Sequence, residues 1–367
     1  MNGNSIGKAL VLTCFGESHG ACIGAVIDGC PAGLPLTKQD IQAEVNKRRP
    51  GFTQLSTKRR EEDKVEILSG VYRGYTTGAP ICMIVRNLDI KSEKYEKMRY
   101  KPRPGHADYT AYMKYSGYND YRGGGRFSGR ITVAYVMAGA IAKKLLRAIN
   151  VEVLAHTTQI GKVKVKRSLS YEDIRRNTYQ NPVRCADPEI AHLMEKEILE
   201  AAREGDSVGG IVEGVALNLP VGLGEPIFDS LDADIARMMF NIPAVKGVEF
   251  GAGFQSASMR GSENNDQYAI KEGRIITLTN NSGGILGGIS NGMPLIVRVA
   301  FKPTPSVSKK QRTVDLRMKK ETWIEVSGRH DPCIVPRAVP VAEACLAFVL
   351  ADHAIRSQKI PRVLKKR

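Results

Sequence analysis

The sequence has no C-x-x-C pair among its seven cysteines, and Cys14, Cys22 and Cys30 recur every eight residues. That spacing fits neither a zinc cluster nor a redox pair. An odd number cannot all pair within one chain, and runs such as Ile81-Cys82-Met83-Ile84 and Ala344-Cys345-Leu346 use cysteine as a small core residue. A reduced, cytoplasmic protein is expected. No window approaches ~18 uninterrupted apolar residues, so no membrane span and no membrane partner are expected. The short run Ala9–Phe15 leads straight into Gly16-Glu17-Ser18-His19 and reads as a strand rather than a signal peptide. Aromatic residues make up only 6%, too few to interleave a basic surface with stacking platforms for single-stranded nucleic acid. Neither a G-x-x-x-x-G-K-[ST] phosphate loop nor an H-E-x-x-H pair occurs, and no metal is expected. A strand-placed G-x-G-x-x-G with an acidic residue about 20 positions on is also missing, which excludes a nicotinamide Rossmann domain.

Positive charge, by contrast, is abundant. Lys+Arg 54 against Asp+Glu 38 gives a formal net charge of +16 over 367 residues. Such a surplus attracts anions, whether nucleic acid, an anionic membrane or phosphorylated and carboxylated metabolites. The length suits one large domain or two ordinary ones. No Ser/Gly/Pro-rich linker divides the chain, so a single domain over 1–367 is expected. Strands are predicted at Leu10–Cys14, Cys22–Ile27, Val65–Leu68, Ile81–Val85, Val208–Leu219, Ile275–Leu278 and Leu295–Phe301. Helices are predicted at Thr37–Arg49, Thr132–Ile149, Pro188–Arg203, Asp232–Phe240 and Val339–Arg356, with Thr37 and Asp187 as caps. Asp89–Tyr121 reads as a long loop dense in Lys, Arg and Tyr. Strands and helices do not alternate one for one, which favours an α+β fold over a doubly wound sheet.

Several blocks carry chemistry. Gly16-Glu17-Ser18-His19-Gly20 places a histidine between glycines at a strand end, approachable and suited to proton transfer, or else a solvated turn. Arg103-Pro104-Gly105-His106-Ala107-Asp108-Tyr109 holds a second histidine in a rigid loop. Arg122-Gly123-Gly124-Gly125-Arg126-Phe127-Ser128-Gly129-Arg130 then leads into a helix. Glycines there let backbone approach a ligand, the helix start offers amides, and the guanidinium groups add forked hydrogen bonds to an anion. The competing reading of that block is an RGG-like RNA-binding stretch. Lys47, Arg48 and Arg49 end a helix, where they also suit its dipole. Lys302-Pro303-Thr304-Pro305-Ser306 and Gly283-Gly284-Ile285-Leu286-Gly287-Gly288 are weak signals alone. Gly328-Arg329-His330-Asp331-Pro332-Cys333 groups Arg, His and Asp ahead of the last helix. His156, His192 and His353 lie in regular segments and read as structural.

Taken together, in this order and spacing, the blocks resemble the chorismate synthase family. Further matching pieces are Gly205-Asp206-Ser207, Gly222–Asp234 and Ala244-Val245-Lys246-Gly247-Val248-Glu249, so the resemblance covers nearly the whole chain. It implies conversion of 5-enolpyruvylshikimate 3-phosphate to chorismate by 1,4-anti elimination, a carbon–oxygen lyase reaction that requires reduced FMN without net redox change. It also implies a single-domain β-α-β sandwich, with helices between two antiparallel sheets, assembled as a homotetramer. The compact chain would depend on FMN reduced by an external flavin reductant.

By resemblance His19 protonates the departing phosphate, His106 lies near flavin N1 and the C2 carbonyl, and Asp331 relays the proton from N5. Arg48, Arg126, Arg130 and Arg329 would clamp the substrate's two carboxylates and phosphate. Flavin contacts map onto Arg126, Phe127, Ser128, Pro243, Ala244, Gly287, Lys302, Pro303, Thr304, Pro305, Ser306 and Arg329. Three positions depart from many relatives. Phe127 stands where a small residue is common and Pro243 where some place asparagine. Gln54 stands at the nicotinamide (NADP) contact, where many bacterial relatives place arginine. The rival expectations are an RNA-binding protein, which the few aromatics disfavour, and a flavoprotein doing true redox chemistry.

Overall fold

The computed structural model describes residues 3–49, 62–88, 92–326 and 331–365. The expected site residue Arg329 and the departure Gln54 lie outside these. One antiparallel sheet is built from the N-terminal third: β1 (Ser5–Ile6), β2 (Val11–Gly16), β3 (Cys22–Asp28), β4 (Val65–Ile67) and β5 (Ile81–Arg86), in the order β1-β2-β3-β5-β4. A second is built from β6 (Glu152–Ile160), β7 (Val163–Lys164), β8 (Gly210–Leu217), β9 (Val245–Phe250) and β10 (Leu295–Phe301), in the order β9-β10-β8-β6-β7. Each presents one apolar face. Along β10, Leu295, Val297, Val299 and Phe301 are buried while the residues between them are half-buried, the period of two a pleat dictates.

The helices used below are α1 (Lys38–Arg48), α2 (Glu93–Met98), α3 (Asp108–Lys114), α4 (Thr132–Arg147), α5 (Pro188–Arg203), α6 (Leu231–Phe240) and α7 (Val335–Arg356). α1 and α4 pack on the first sheet, α7 packs on the second, and α4 and α7 pack on each other. Their crossing is close because Gly139 of α4 has no side chain where a Cβ would strike the backbone of Ala344 in α7. The result is the expected α+β arrangement, with helices between two antiparallel sheets, and one apolar core runs through all the layers. Helix α7 is long and apolar enough to span a bilayer, but its apolar window is wholly inside the fold.

Local chemistry places the elements much as expected. Thr37 accepts from the Asp40 amide while the Asp40 carboxylate accepts from the Thr37 amide, a capping box that starts α1 one residue later than predicted. Asp187 caps α5 through the amides of Glu189 and Ile190, with Pro188 at its first position. Two expectations are revised. α7 begins at Val335 rather than Val339, because Pro336 falls in the first turn, where its missing N–H has no intrahelical partner to lose. The segment 89–121 is not all loop: α2 and α3 form within its described part, too short and too polar for apolar periodicity to reveal them.

Candidate functional site

β2 ends at Gly16, and the turn that follows carries His19. The ring is nearly buried, at 7% exposure, rather than solvated as the flanking glycines suggest. Its Nδ1 lies 3.0 Å from Ser92 Oγ, just ahead of α2, and Tyr95 meets it edge-on at 5.1 Å. The other wall is the Gly-rich loop. Gly123, Gly124 and Gly125 all hold positive φ (60°, 83° and 51°), a region where only glycine is unstrained. A Cβ at Gly123 would collide with the His19 ring, and one at Gly125 with the carbonyl of Asp120. Gly125 O accepts from the Ser18 amide, so the two blocks are stitched together.

The second histidine is built into a charged cluster. His106 Nδ1 lies 2.6 Å from Asp108 Oδ1, and Arg103 grips Asp108 with Nε at 2.7 Å and Nη2 at 2.9 Å. Burial by itself would push the Asp108 carboxyl up. Hydrogen bonds from Arg103 and His106, with their charges, outweigh that and hold it well below the usual carboxylate range. Arg103 Nη1 also donates to Ser306 Oγ at 3.2 Å, and Lys302 Nζ donates to the Gly105 carbonyl. Thr304 Oγ1 in turn donates to the Asp331 carbonyl at 2.8 Å. Three sequence-distant blocks thereby meet at one place.

The arginines fall into two kinds. Arg48 and Arg130 are buried and share the carboxylate of Asp63, itself buried. Arg48 is further anchored through Nε to Thr132 Oγ1 (2.9 Å) and Nη2 to the Gly129 carbonyl (2.8 Å), and Arg130 through Nε to Asn87 Oδ1 (3.0 Å). Arg126 instead faces β2. It donates to the carbonyls of Cys14 and Gly16 and to Asn4 Oδ1, fastening the Gly-rich loop to the first sheet.

These parts border one cavity of about 820 Å³, within the range of small-molecule sites. Of the expected site residues, His19, His106, Asp331, Arg48, Arg126, Arg130, Phe127, Ser128, Pro243, Ala244, Lys302, Thr304, Pro305 and Ser306 line it. Pro303 and Gly287 do not; Gly287 sits in the tight turn between Ile285–Leu286 and Ile289–Ser290. Among the described residues the lining holds seven cationic side chains and one carboxylate, Asp331. Three of the seven, Arg103, Lys246 and Arg337, were not assigned to the site from the sequence. Arg337 pairs with Asp331 and its Nε lies 3.5 Å from the Arg48 carbonyl. A signal for it existed, since a cation in the first turn of an otherwise apolar helix opposes the helix dipole and calls for another reason to be there. The Arg-Gly-Gly-Gly-Arg stretch is a wall of this cavity, with Gly124 and Gly125 buried, rather than an exposed RNA-binding tail.

A family profile described as chorismate synthase matches residues 10–355. The chorismate synthase of Dehalococcoides mccartyi strain BAV1 is 56% identical over 99% of this chain and 100% of the relative. That of Korarchaeum cryptofilum is also 56% identical, over 98% and 99%. A crystal structure of chorismate synthase superposes with a TM-score of 0.76 at 32% identity, covering 96% of this chain and 93% of that one.

Proposed function

The chain belongs to the chorismate synthase family, and from that premise we propose that its cationic cavity performs the family's 1,4-anti elimination of phosphate from 5-enolpyruvylshikimate 3-phosphate beside a bound reduced FMN. The observation that carries the proposal is the cavity lining: seven cations against one carboxylate among the described residues, with two histidines in the wall. A substrate bearing two carboxylates and a phosphate, next to a cofactor bearing another phosphate, needs such a lining. Phe127, Ile131, Ile242 and Val341 add apolar surface suited to a ring system. The residues present therefore fit the flavin.

Reduced FMN, when bound, supplies electron density to the breaking C–O bond and a nitrogen that takes the substrate proton. The chain's own residues then do the rest. Arg48 and Arg130, held from behind by Asp63, Thr132 and Asn87, fix the anions without reorganising. His19, oriented by Ser92 and Tyr95, gives its proton to the departing phosphate oxygen. Asp331, paired with Arg337 and tied through its carbonyl to Thr304, would take the proton onward. His106, held by the Arg103–Asp108 cluster, would contact the flavin. Arg126 reaches the cavity from the strand side. Arg329 would complete the clamp by resemblance.

The test is an anaerobic assay with 5-enolpyruvylshikimate 3-phosphate and chemically reduced FMN, following chorismate and phosphate together. Equal release of both, with the flavin still reduced at the end, supports the proposal. Stoichiometric flavin oxidation would point to redox chemistry instead, and folded protein that binds FMN but forms neither product would refute it. We further propose a single catalytic domain that works in the cytoplasm as a homotetramer, on flavin reduced by a separate enzyme. Seven free thiols suit a reducing compartment. The hairpin of Tyr268–Lys271 and Arg274–Thr277 exposes apolar side chains, chiefly Tyr268, Ile270 and Ile275, that offer an assembly face.

A further inference from the structure

We propose that Asp108 is a positioning residue that fixes His106 as a hydrogen-bond donor at Nδ1, leaving Nε2 as the one ring atom that exchanges a proton with a ligand in the cavity. The inference rests on the proposed elimination only for which ligand group meets Nε2. Its geometry does not depend on that reading. Asp108 is absent from the cavity lining, while His106 borders it, so the carboxylate acts through the imidazole.

His106 Nδ1 and Asp108 Oδ1 are 2.6 Å apart. One of two atoms that close must carry a proton. Arg103 donates to both carboxylate oxygens, from Nε and its own amide to Oδ2 and from Nη2 to Oδ1. A carboxylate so gripped stays ionised and can only accept. The proton therefore lies on Nδ1. Arg103 Nη2, a donor only, also lies 3.2 Å from Nδ1 and 3.3 Å from Nε2; with the proton on Nδ1, Nε2 is the ring atom that accepts from it until a ligand takes that place. On the far side Gly124 has no side chain, and a Cβ there would sit 3.2 Å from Nε2 and Cε1. Lys302, just past β10, donates to the Gly105 carbonyl of this loop.

Nε2 can then work in both directions without the ring turning. Taking a proton from a ligand gives an imidazolium whose charge is set against Asp108. Returning it restores the neutral ring, and Asp108 gains no proton at either stage. Arg103 alone would oppose the charged ring, and Asp108 offsets both cations at once.

The experiment is nitrogen-15 NMR of the histidine rings in the full-length, ligand-free protein, paired with steady-state kinetics. Wild type is expected to carry the neutral-ring proton on Nδ1. In Asp108→Asn, Arg103 holds the amide oxygen and the NH₂ faces Nδ1, so the proton moves to Nε2. The kcat for phosphate release then falls on the order of 10²-fold with KM little changed. Asp108→Glu, which keeps a carboxylate, is expected to return the proton to Nδ1 and recover activity. A wild-type ring protonated on Nε2 overturns the proposal, and decides the matter even if the asparagine variant does not fold. So does an asparagine variant with a moved proton and unchanged kcat. A wild-type protein that releases no phosphate would refute the elimination while leaving the NMR answer intact.

Discussion

Two buried charge clusters draw on residues of α1, and only one of the two belongs to the site. Between the helices, Lys143 of α4 is set between Glu44 of α1 and Glu343 of α7. At the cavity, Arg48 and Arg130 converge on Asp63. Burial does not separate them: Lys143 is 7% exposed and Arg130 6%. Cation chemistry does. An ammonium has three donors, and Lys143 turns toward two carboxylates that do not line the site cavity. A guanidinium has five in a planar fork, which can be divided between anchors and a ligand. Arg48 uses that division, bonded to Thr132 and Gly129 and yet bordering the cavity. Buried charge is thus a structural device in one place and a binding device in the other.

The largest effect should come from the cavity side. His19→Ala is expected to lower kcat by on the order of 10²–10⁴-fold, with little change in the denaturation midpoint because the ring meets Ser92 and Tyr95 rather than the core. A variant with full activity would remove His19 from the mechanism.

Next in size is the cluster between the helices. Lys143→Met leaves Glu44 and Glu343 facing each other without the cation they share, Glu44 keeping only Lys47, and should cost about 3–5 kcal/mol in urea unfolding, while the folded fraction keeps its kcat. Adding Glu44→Leu and Glu343→Gln, the latter keeping an acceptor for Tyr179 Oη at 2.9 Å, should restore most of that loss. If the triple variant were stable but inactive, the distinction between the two clusters would fail.

The two clusters also differ in how far the sequence revealed them. Arg48 and Arg130 sit in or beside motifs, and their resemblance to a family pointed to the site before any fold was known. Asp63, which both arginines share, stands in no motif, and only the folding of β4 beside β5 brings it to them. Ser92 and Tyr95 were hidden for the same reason, in a segment that read as loop. Regular elements were legible where apolar period and capping agreed, as in α5, β3 and β10. The layering was not, because pairing β8 with both β6 and β10 is a long-range choice that alternation of side chains cannot specify.

A smaller effect is expected at the hinge between loop and histidine. Gly123→Ala puts a Cβ at φ 60° against the His19 ring. Strain of about 1–3 kcal/mol should appear in unfolding, and kcat should fall more than the stability loss explains, since the ring must move. Equal losses at Gly123 and at an exposed glycine such as Gly74, where nothing lies within 4 Å, would show that His19 is not held by this contact.

The mildest test uses acid. Burial would raise the Glu44 carboxyl, but Lys143 and Lys47 overcome it and hold it down from 4.5 to about 2. A carboxyl whose folded value lies below its unfolded one contributes stability that is complete above the unfolded value and lost as pH falls toward the folded one. For Glu44 that window runs from 4.5 down to about 2. Asp108, depressed by Arg103 and His106 against its own burial, adds a loss that starts below 3.8. Unfolding free energy measured across this range should therefore decline steadily. In Lys143→Met the Glu44 share should shrink to what Lys47 still supplies, flattening part of the upper decline, whereas Asp108→Asn should flatten only the lower part. Identical slopes in both variants would mean that neither cluster holds its carboxylate in the way the geometry requires.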